Sequence, residues 1–364
     1  MTLDAAAEQR LAAWLRSQLP EADEVSLEGL DRVNFGHSAE MMVLTVVART
    51  GRAENRQDVV MRLRPTPPAL LEPYDLPRQF TILRALHGTS VPVPKALWLE
   101  PSGEVLGRPF LVMERVGGEV FEMDSPADLS DETVVRMCQS LVEKLAAIHS
   151  VDLERTGLGS LDDGADHLDR ELARWAGELD RVKRDRLPAL ERLLEALRGA
   201  KPKPSERVTL VHGDAKPGNF AFTAGEVSAV FDWEMTTVGD PLTDIGWLEL
   251  LWMQPVGITS HSAALPIDEL LAHYEKVSGI PVSNRSWYRA FNAFKMAVIC
   301  LIGAMLVEDG HSNDQKLVIA AYGTSLLTTV GLTELGVDEK LDDGPVLPRQ
   351  ERIDEVLAQP APAH

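Results

Sequence analysis

The chain of 364 residues has only two cysteines, Cys138 and Cys300. Both fall inside apolar helical patterns, which excludes a disulfide framework and predicts buried free thiols in a reducing compartment, by default the cytoplasm. Two distant cysteines cannot make a zinc site alone, and the nine histidines show no metal-ligand spacing. No uninterrupted apolar run is long enough to cross a bilayer. The longest, Ala290 to Val307, is broken by Asn292 and Lys295 and reads as a buried helix. The first residues form an amphipathic helix pattern without the basic start, apolar run and cleavage site of a signal peptide. Internal repeats are absent. So are GxxxxGK[ST], GxGxxG, HExxH and GxSxG, which leaves no support for P-loop, dinucleotide-binding, zincin or α/β-hydrolase chemistry.

Positive charge is also scarce, and the net charge is −20. Residues 1–115 carry 13 Lys/Arg against 15 Asp/Glu, whereas residues 116–364 carry 23 against 41. A field of that sign repels nucleic acid and anionic membranes, so neither is expected as a partner. The acidic excess of the second part serves solubility and is compatible with a cationic partner.

The first part reads as strands with one helix. Ala39 to Thr50 and Gln57 to Pro65 are β-rich runs joined by a turn. Tyr74 to Gly88 places Phe80, Leu83 and Leu86 at helical spacing, and two further strands flank Ser102-Gly103. At Gly117-Gly118 the chain changes character. Ser130 can cap a helix whose stripe is Val134, Cys138, Leu141, Leu145 and Ile148, with His149 at its negative end. A charged helical region follows, about 165–198, then short strands around 209–213 and 227–234, and mainly helix from Asp244 to Val330. The expected divisions are an N-terminal helix (1–24), a small sheet domain (25–115), a larger mainly helical domain (116–335) and a loosely packed tail (336–364).

The chemistry concentrates in "LVHGDAKPGNF", Leu210 to Phe220. Asp214 precedes Asn219 by five residues, and Asp232 follows thirteen later in "VFDWE". This is the spacing of a phosphoryl-transfer loop: an acid, an amide five residues on, then a metal-binding acid on the next hairpin. A transferred phosphoryl group spreads charge over several oxygens, so Mg²⁺ must join the nucleotide to hard oxygen ligands, for which Asn219 and Asp232 are the candidates. A separate carboxylate, Asp214, orients or accepts the proton of the attacking hydroxyl. Lys216 can neutralise the γ-phosphate, and His212 braces the loop.

"HGDAKPGN" and "FDWEMTTVGDPLTDIGWL" resemble the catalytic-loop and metal-binding segments of the aminoglycoside phosphotransferase family, within the choline-kinase-like and protein-kinase-like fold. The resemblance covers about residues 25–310. It implies an α+β, two-lobed protein-kinase-like fold, with a small antiparallel β-sheet N-lobe plus one helix and a larger, mainly helical C-lobe. ATP or GTP is then the implied phosphoryl donor, with Mg²⁺. The loop over the phosphates would be "RVNFGHSAEMMVL", with Asn34, Phe35, Gly36 and Ser38 toward the nucleotide. Arg62 stands where the family usually has a basic phosphate ligand. Gln79 stands where a helix Glu is expected; it can hydrogen-bond Arg62 but cannot form the ion pair. Met113, Glu114 and Val116 would line and bond the base at a hinge ending in Gly117-Gly118. Asp244 would brace the catalytic loop, and Trp233 and Glu234 replace the Phe-Gly of D-F-G.

The implied activity is transfer of the γ-phosphoryl group to a hydroxyl of a small molecule, an aminoglycoside or another amino-containing, cationic acceptor. Choline-like, sugar and hydroxy-acid acceptors stay open. A nucleotide-binding pseudokinase with a regulatory role is the alternative; Arg62 and Gln79 motivate it, while Asp214, Asn219 and Asp232 oppose it. A protein acceptor is disfavoured, because no Ala-Pro-Glu-like segment separates "FDWE" from "GDPLTDIGW".

Overall fold

Apolar residues every third or fourth position make amphipathic helices and alternating ones make half-buried strands, and both patterns are realised here. The computed structural model describes residues 3–33, 40–162 and 164–359. The chain divides into two compact units, one built from Met1–His87 and Val93–Val116, the other from Gly88–Pro92 and Gly117–Pro360.

The first unit contains α1 (Ala5–Gln18), β1 (Glu24–Val33), β2 (Glu40–Thr50), β3 (Ala53–Leu63), α2 (Leu76–Leu86), β4 (Ala96–Glu100) and β5 (Phe110–Glu114). Its strands form one antiparallel sheet in the order β1-β2-β3-β5-β4. Asp4 caps α1 by accepting from the Ala7 N–H at 2.7 Å. Leu11 and Leu15 of that helix are buried with Met42, Leu44, Val59, Met61, Phe110 and Val112, so α1 is part of this core and not a separate element. Strand β1 was not anticipated. Its pairing with β2 slips between Glu28 and Asp31, around Gly29 at φ 58°, which disrupts the period-two pattern.

The second unit contains β6 (Glu119–Val120), α3 (Asp131–Ile148), α4 (Leu153–Thr156), α5 (His167–Val182), α6 (Pro188–Gly199), β7 (Thr209–Val211), β8 (Phe220–Thr223), β9 (Glu226–Val230), β10 (Thr237–Gly239), α7 (Leu242–Trp252), α8 (Ile267–Ser278), α9 (Arg285–Glu308), α10 (Gln315–Ala321), α11 (Gly323–Glu334) and α12 (Gln350–Leu357). Two small antiparallel sheets hold the motif-bearing loops: β7 with β10, and β8 between β6 and β9. The helical region 165–198 is two helices, because Pro188 can start a helix but cannot continue one. Helix α9 is long and apolar enough to cross a membrane, but 78% of its most apolar window is buried inside the unit. The expected loose tail instead carries α12. Its Ile353 and Val356 are buried, and Arg352 donates to the Val307 carbonyl at 2.8 Å. Both cysteines are buried free thiols.

Candidate active site

Strand β7 delivers His212 to the end of a short ladder, and the chain must turn there. Gly213 turns it at φ 84°, with its α-carbon so close to Met235 that a β-carbon would sit 2.3 Å from the Met235 carbonyl oxygen. Only glycine meets both demands. The turn is pinned from α7. Asp244, fully buried, accepts from the Gly213 N–H and the His212 N–H, each at 2.7 Å, and pairs with His149 Nε2 at 3.0 Å. Burial opposes its charge, but His149 and the two amides hold its carboxyl below the usual range. His149 therefore does more than sit at a helix end: its Nδ1 also meets the Tyr274 hydroxyl at 2.6 Å.

His212 is entirely buried. Its Nδ1 accepts from the Asp214 N–H at 3.2 Å, so Nε2 carries the proton and donates to the Phe231 carbonyl at 2.8 Å. One imidazole thus ties Asp214 to the residue before Asp232. That is bracing, as the sequence suggested.

Asp214, Lys216, Asn219 and Asp232 come together within the second unit. Asn219 donates its amide to the Asp214 carbonyl at 2.8 Å and to Asp214 Oδ2 at 2.9 Å. This leaves the Asn219 side-chain oxygen for a cation. The other carboxylate oxygen of Asp214, Oδ1, is buried with no hydrogen-bond partner among the described residues. An orphaned buried acceptor is costly, and a ligand hydroxyl would satisfy it. Asp232 sits at φ 64° and ψ 62°, the left-handed region that a non-glycine residue rarely adopts. Strain of that kind, on the order of 1–3 kcal/mol, concentrates at functional positions.

Lys216 Nζ pairs with Glu122 at 2.9 Å. Burial alone would lower this ammonium; Asp214, Glu122 and Asp232 hold it well above the ordinary lysine range. Glu122 escaped the sequence reading, since nothing in its neighbourhood marks it. Its backbone and side chain pack against Gly218, where a β-carbon would lie 2.9 Å from Glu122 Cγ.

Among the described residues no group of three His, Cys, Asp or Glu could hold a metal alone. The donor set still suits Mg²⁺, which keeps waters and phosphate oxygens and needs only one or two protein ligands.

The nucleotide-side candidates divide differently. Phe35, Gly36 and Ser38, with Asn34, lie outside the described residues. Arg62 is in the first unit on β3, the central strand, and is buried. Its Nε donates to the Tyr74 hydroxyl at 2.6 Å, and its guanidinium lies 5.7 Å from that ring centre. Gln79 is buried on α2. Met113 is buried near the end of β5, Glu114 is exposed and Val116 is half-buried where the first unit ends.

A second lysine was visible in sequence only as an interruption of α9. Lys295 is fully buried, donates to the Gly213 carbonyl at 2.5 Å, and stands 4.4 Å from the Trp247 ring centre and 5.7 Å from that of Trp175. Burial pushes its ammonium down to about 8, against the pull of Glu171, Asp214 and Asp244.

A fold of one five-stranded sheet unit and one helical unit carrying this loop defines a kinase-like phosphotransferase. Residues 44–291 match the model of the phosphotransferase enzyme family, and the chain belongs to that family. A Ralstonia eutropha crystal structure, provisionally described as an aminoglycoside phosphotransferase, is 26% identical with a TM-score of 0.72, covering 90% of this chain and 98% of that one. Aminoglycoside phosphotransferase APH(4)-Ia, in a ternary complex with ADP and hygromycin B, has the same fold at 15% identity and a TM-score of 0.58, covering 90% and 98% of the two chains. Curated relatives carry another name. The chain is 31% identical to mouse acyl-CoA dehydrogenase family member 10, over 68% of this chain and 24% of that protein. It is 30% identical to rat acyl-CoA dehydrogenase family member 11, over 84% of this chain and 41% of that protein. The chain thus spans between a quarter and two-fifths of the length of these two relatives.

Proposed function

We propose that this chain transfers the γ-phosphoryl group of ATP or GTP to a hydroxyl of a small molecule. The observation that carries the reading is the pairing inside the loop: Asn219 holds Asp214 by one carboxylate oxygen and leaves the other buried and, among the described residues, unpartnered. The acceptor hydroxyl would donate to that oxygen. Its oxygen then forms a bond to the γ-phosphorus as the bond to the bridging β–γ oxygen breaks, its proton passes to Asp214, and the nucleoside diphosphate leaves. Asn219 and Asp232 would hold Mg²⁺, which supplies charge neutralisation on the phosphates. Lys216, kept fully protonated by its three carboxylate neighbours, adds a fixed positive charge on the phosphate side. Arg62 and the residues 113–116 are assigned to phosphate and base by family resemblance. Two buried free thiols fit a reducing, cytoplasmic setting.

The acceptor has two supported classes. APH(4)-Ia binds hygromycin B, an aminoglycoside, which together with the acidic second unit supports an amino-containing, cationic acceptor. The hydroxy-acid class left open by the sequence is the second; the curated relatives, named as acyl-CoA dehydrogenase family members, bring an acyl-coenzyme A thioester bearing a hydroxyl into the same class. A metabolite panel incubated with ATP or GTP and Mg²⁺, read for the mass of one added phosphoryl group, separates these classes. Asp214→Ala should abolish the product, a loss of about 10²- to 10⁴-fold, while retaining nucleotide binding. Equal turnover by wild type and Asp214→Ala would sink the mechanism.

A further inference from the structure

We propose that Lys295 is a positioning residue for phosphoryl transfer: its buried ammonium, clamped between the Gly213 carbonyl and the faces of Trp175 and Trp247, holds the peptide that aims Asp214. The inference rests on the reading of Asp214 as the acceptor-side base.

Gly213 is gripped on both sides. Its N–H donates to Asp244 from α7, and its carbonyl accepts from Lys295 on α9 at 2.5 Å. Gly213 thus has its carbonyl, in the peptide that leads to Asp214, fixed by α9 and its own N–H fixed by α7. The left-handed turn at Gly213 supplies little stiffness of its own, because glycine has no β-carbon to restrict it. The ammonium is the only charged group among the described residues that a hydrogen bond places on that carbonyl.

A lysine is a poor choice if the purpose is packing. An ammonium in an apolar helix is expensive to bury, and an apolar side chain fills such a space without that cost. Here the charge is offset by one carbonyl, two indole faces at 4.4 and 5.7 Å and the fields of neighbouring carboxylates. The charged groups facing it are Glu171 and Arg174 from α5, Asp244 from α7 and Asp214 from the loop. No carboxylate forms a direct ion pair with it among the described residues, so the charge bears on the loop backbone.

Losing the charge should therefore loosen the aim of Asp214 without touching nucleotide contacts. The ammonium, lowered to about 8 by burial, would lose its proton as pH rises past that value. Lys216, the other lysine of the site, is held too high to titrate there.

The test is steady-state MgATP hydrolysis with water as acceptor, from pH 6.5 to 9.5, on wild type, Lys295→Met and Asp214→Ala. Methionine keeps the stem and removes the charge. Lys295→Met should lower kcat by about 10- to 100-fold, leave KM for MgATP within about twofold, and lack the alkaline fall in kcat that wild type shows near pH 8. Unchanged kcat in Lys295→Met, or the same alkaline fall in both proteins, overturns the assignment. Wild type alone decides if the variant does not fold: a kcat flat to pH 9.5 also overturns it. Asp214→Ala separates the two readings. If it hydrolyses as wild type does, the catalytic reading itself fails; if it is inactive while Lys295→Met is normal, only the Lys295 assignment fails.

Discussion

At Gly213 two separate constraints meet, a φ of 84° and packing so close that an added β-carbon would lie 2.3 Å from the Met235 carbonyl oxygen. Substituting alanine must break one of them. Gly213→Ala is expected to destabilise the protein by about 2–4 kcal/mol, since backbone cannot yield as a flexible side chain can. Urea denaturation would register that as a lower midpoint with an unchanged slope. Asp244 is the matching case for a polar residue. Asp244→Ala orphans the amides of His212 and Gly213 and strands His149 beside an empty position. The expected loss is about 3–5 kcal/mol, on the scale of breaking a buried pair, and a thermal melt that stays within a degree of wild type would refute it. Much of this scale was legible in advance. His212 was read as a brace from its place in the loop and Asp244 from the family resemblance, and the observed bonds are of that kind. Glu122 was not legible, because it meets Lys216 from 94 positions away, and only folding closes that distance.

Elements were read well where one periodicity dominates. Helix α3 begins where Ser130 and its acids predicted, with Ser130 Oγ accepting from the Thr133 N–H at 3.3 Å. Strand β1 escaped because a slip in register hides its alternation. Helix α12 escaped because eight residues with two buried apolar positions carry too little pattern to stand out from a charged tail. Contacts between elements were not legible at all. Helices α7 and α9 approach closely enough that a β-carbon on Gly246 would lie 2.6 Å from Tyr288 Cβ and 2.7 Å from its backbone. Gly246→Val should therefore push the two helices apart. Because α7 carries Asp244 and α9 carries Lys295, the variant should lose about 3 kcal/mol or more together with most of its turnover. Wild-type kcat in a folded Gly246→Val protein would show that this packing does not support the loop.

For the whole molecule, pH separates stability from activity. Lys295 has its folded value lowered to about 8 from 10.5, so it binds its proton more weakly folded than unfolded. Below pH 8 both states are protonated and the penalty for the buried charge is present in full. Between pH 8 and 10.5 the unfolded chain binds more protons, so folding stability attributable to this group rises with pH. Measured by urea titration, wild type should gain up to about 3 kcal/mol relative to Lys295→Met across that window. A difference independent of pH would mean that the ammonium is not buried as described. Asp244 works in the opposite sense. Its folded value is depressed, so its contribution is complete above the unfolded carboxylate value and is lost as pH falls through the folded one.

The amino-acid sequence alone determined the chemistry available to this protein. Asp214, Lys216, Asn219 and Asp232 are functional types at a spacing short enough for one loop and one hairpin to present them, so local chain geometry suffices to group them. It likewise pointed to the phosphotransferase family and its two-lobed α+β plan, through the resemblance of "HGDAKPGN" and "FDWEMTTVGDPLTDIGWL" to that family's segments. What only the tertiary structure decided is how the loop is supported: the family resemblance pointed to Asp244 as a brace, while the bonds it makes and the other supports came from the fold. Glu122, Asp244, Lys295 and Trp247 come from separate elements, and each looks ordinary in its own stretch: an acid after a short strand, an acid in an apolar helix, a lysine breaking a hydrophobic run, a core indole. Their roles exist only once burial has removed water from around them, because a charge or an amide matters in proportion to what else is left to pair with it.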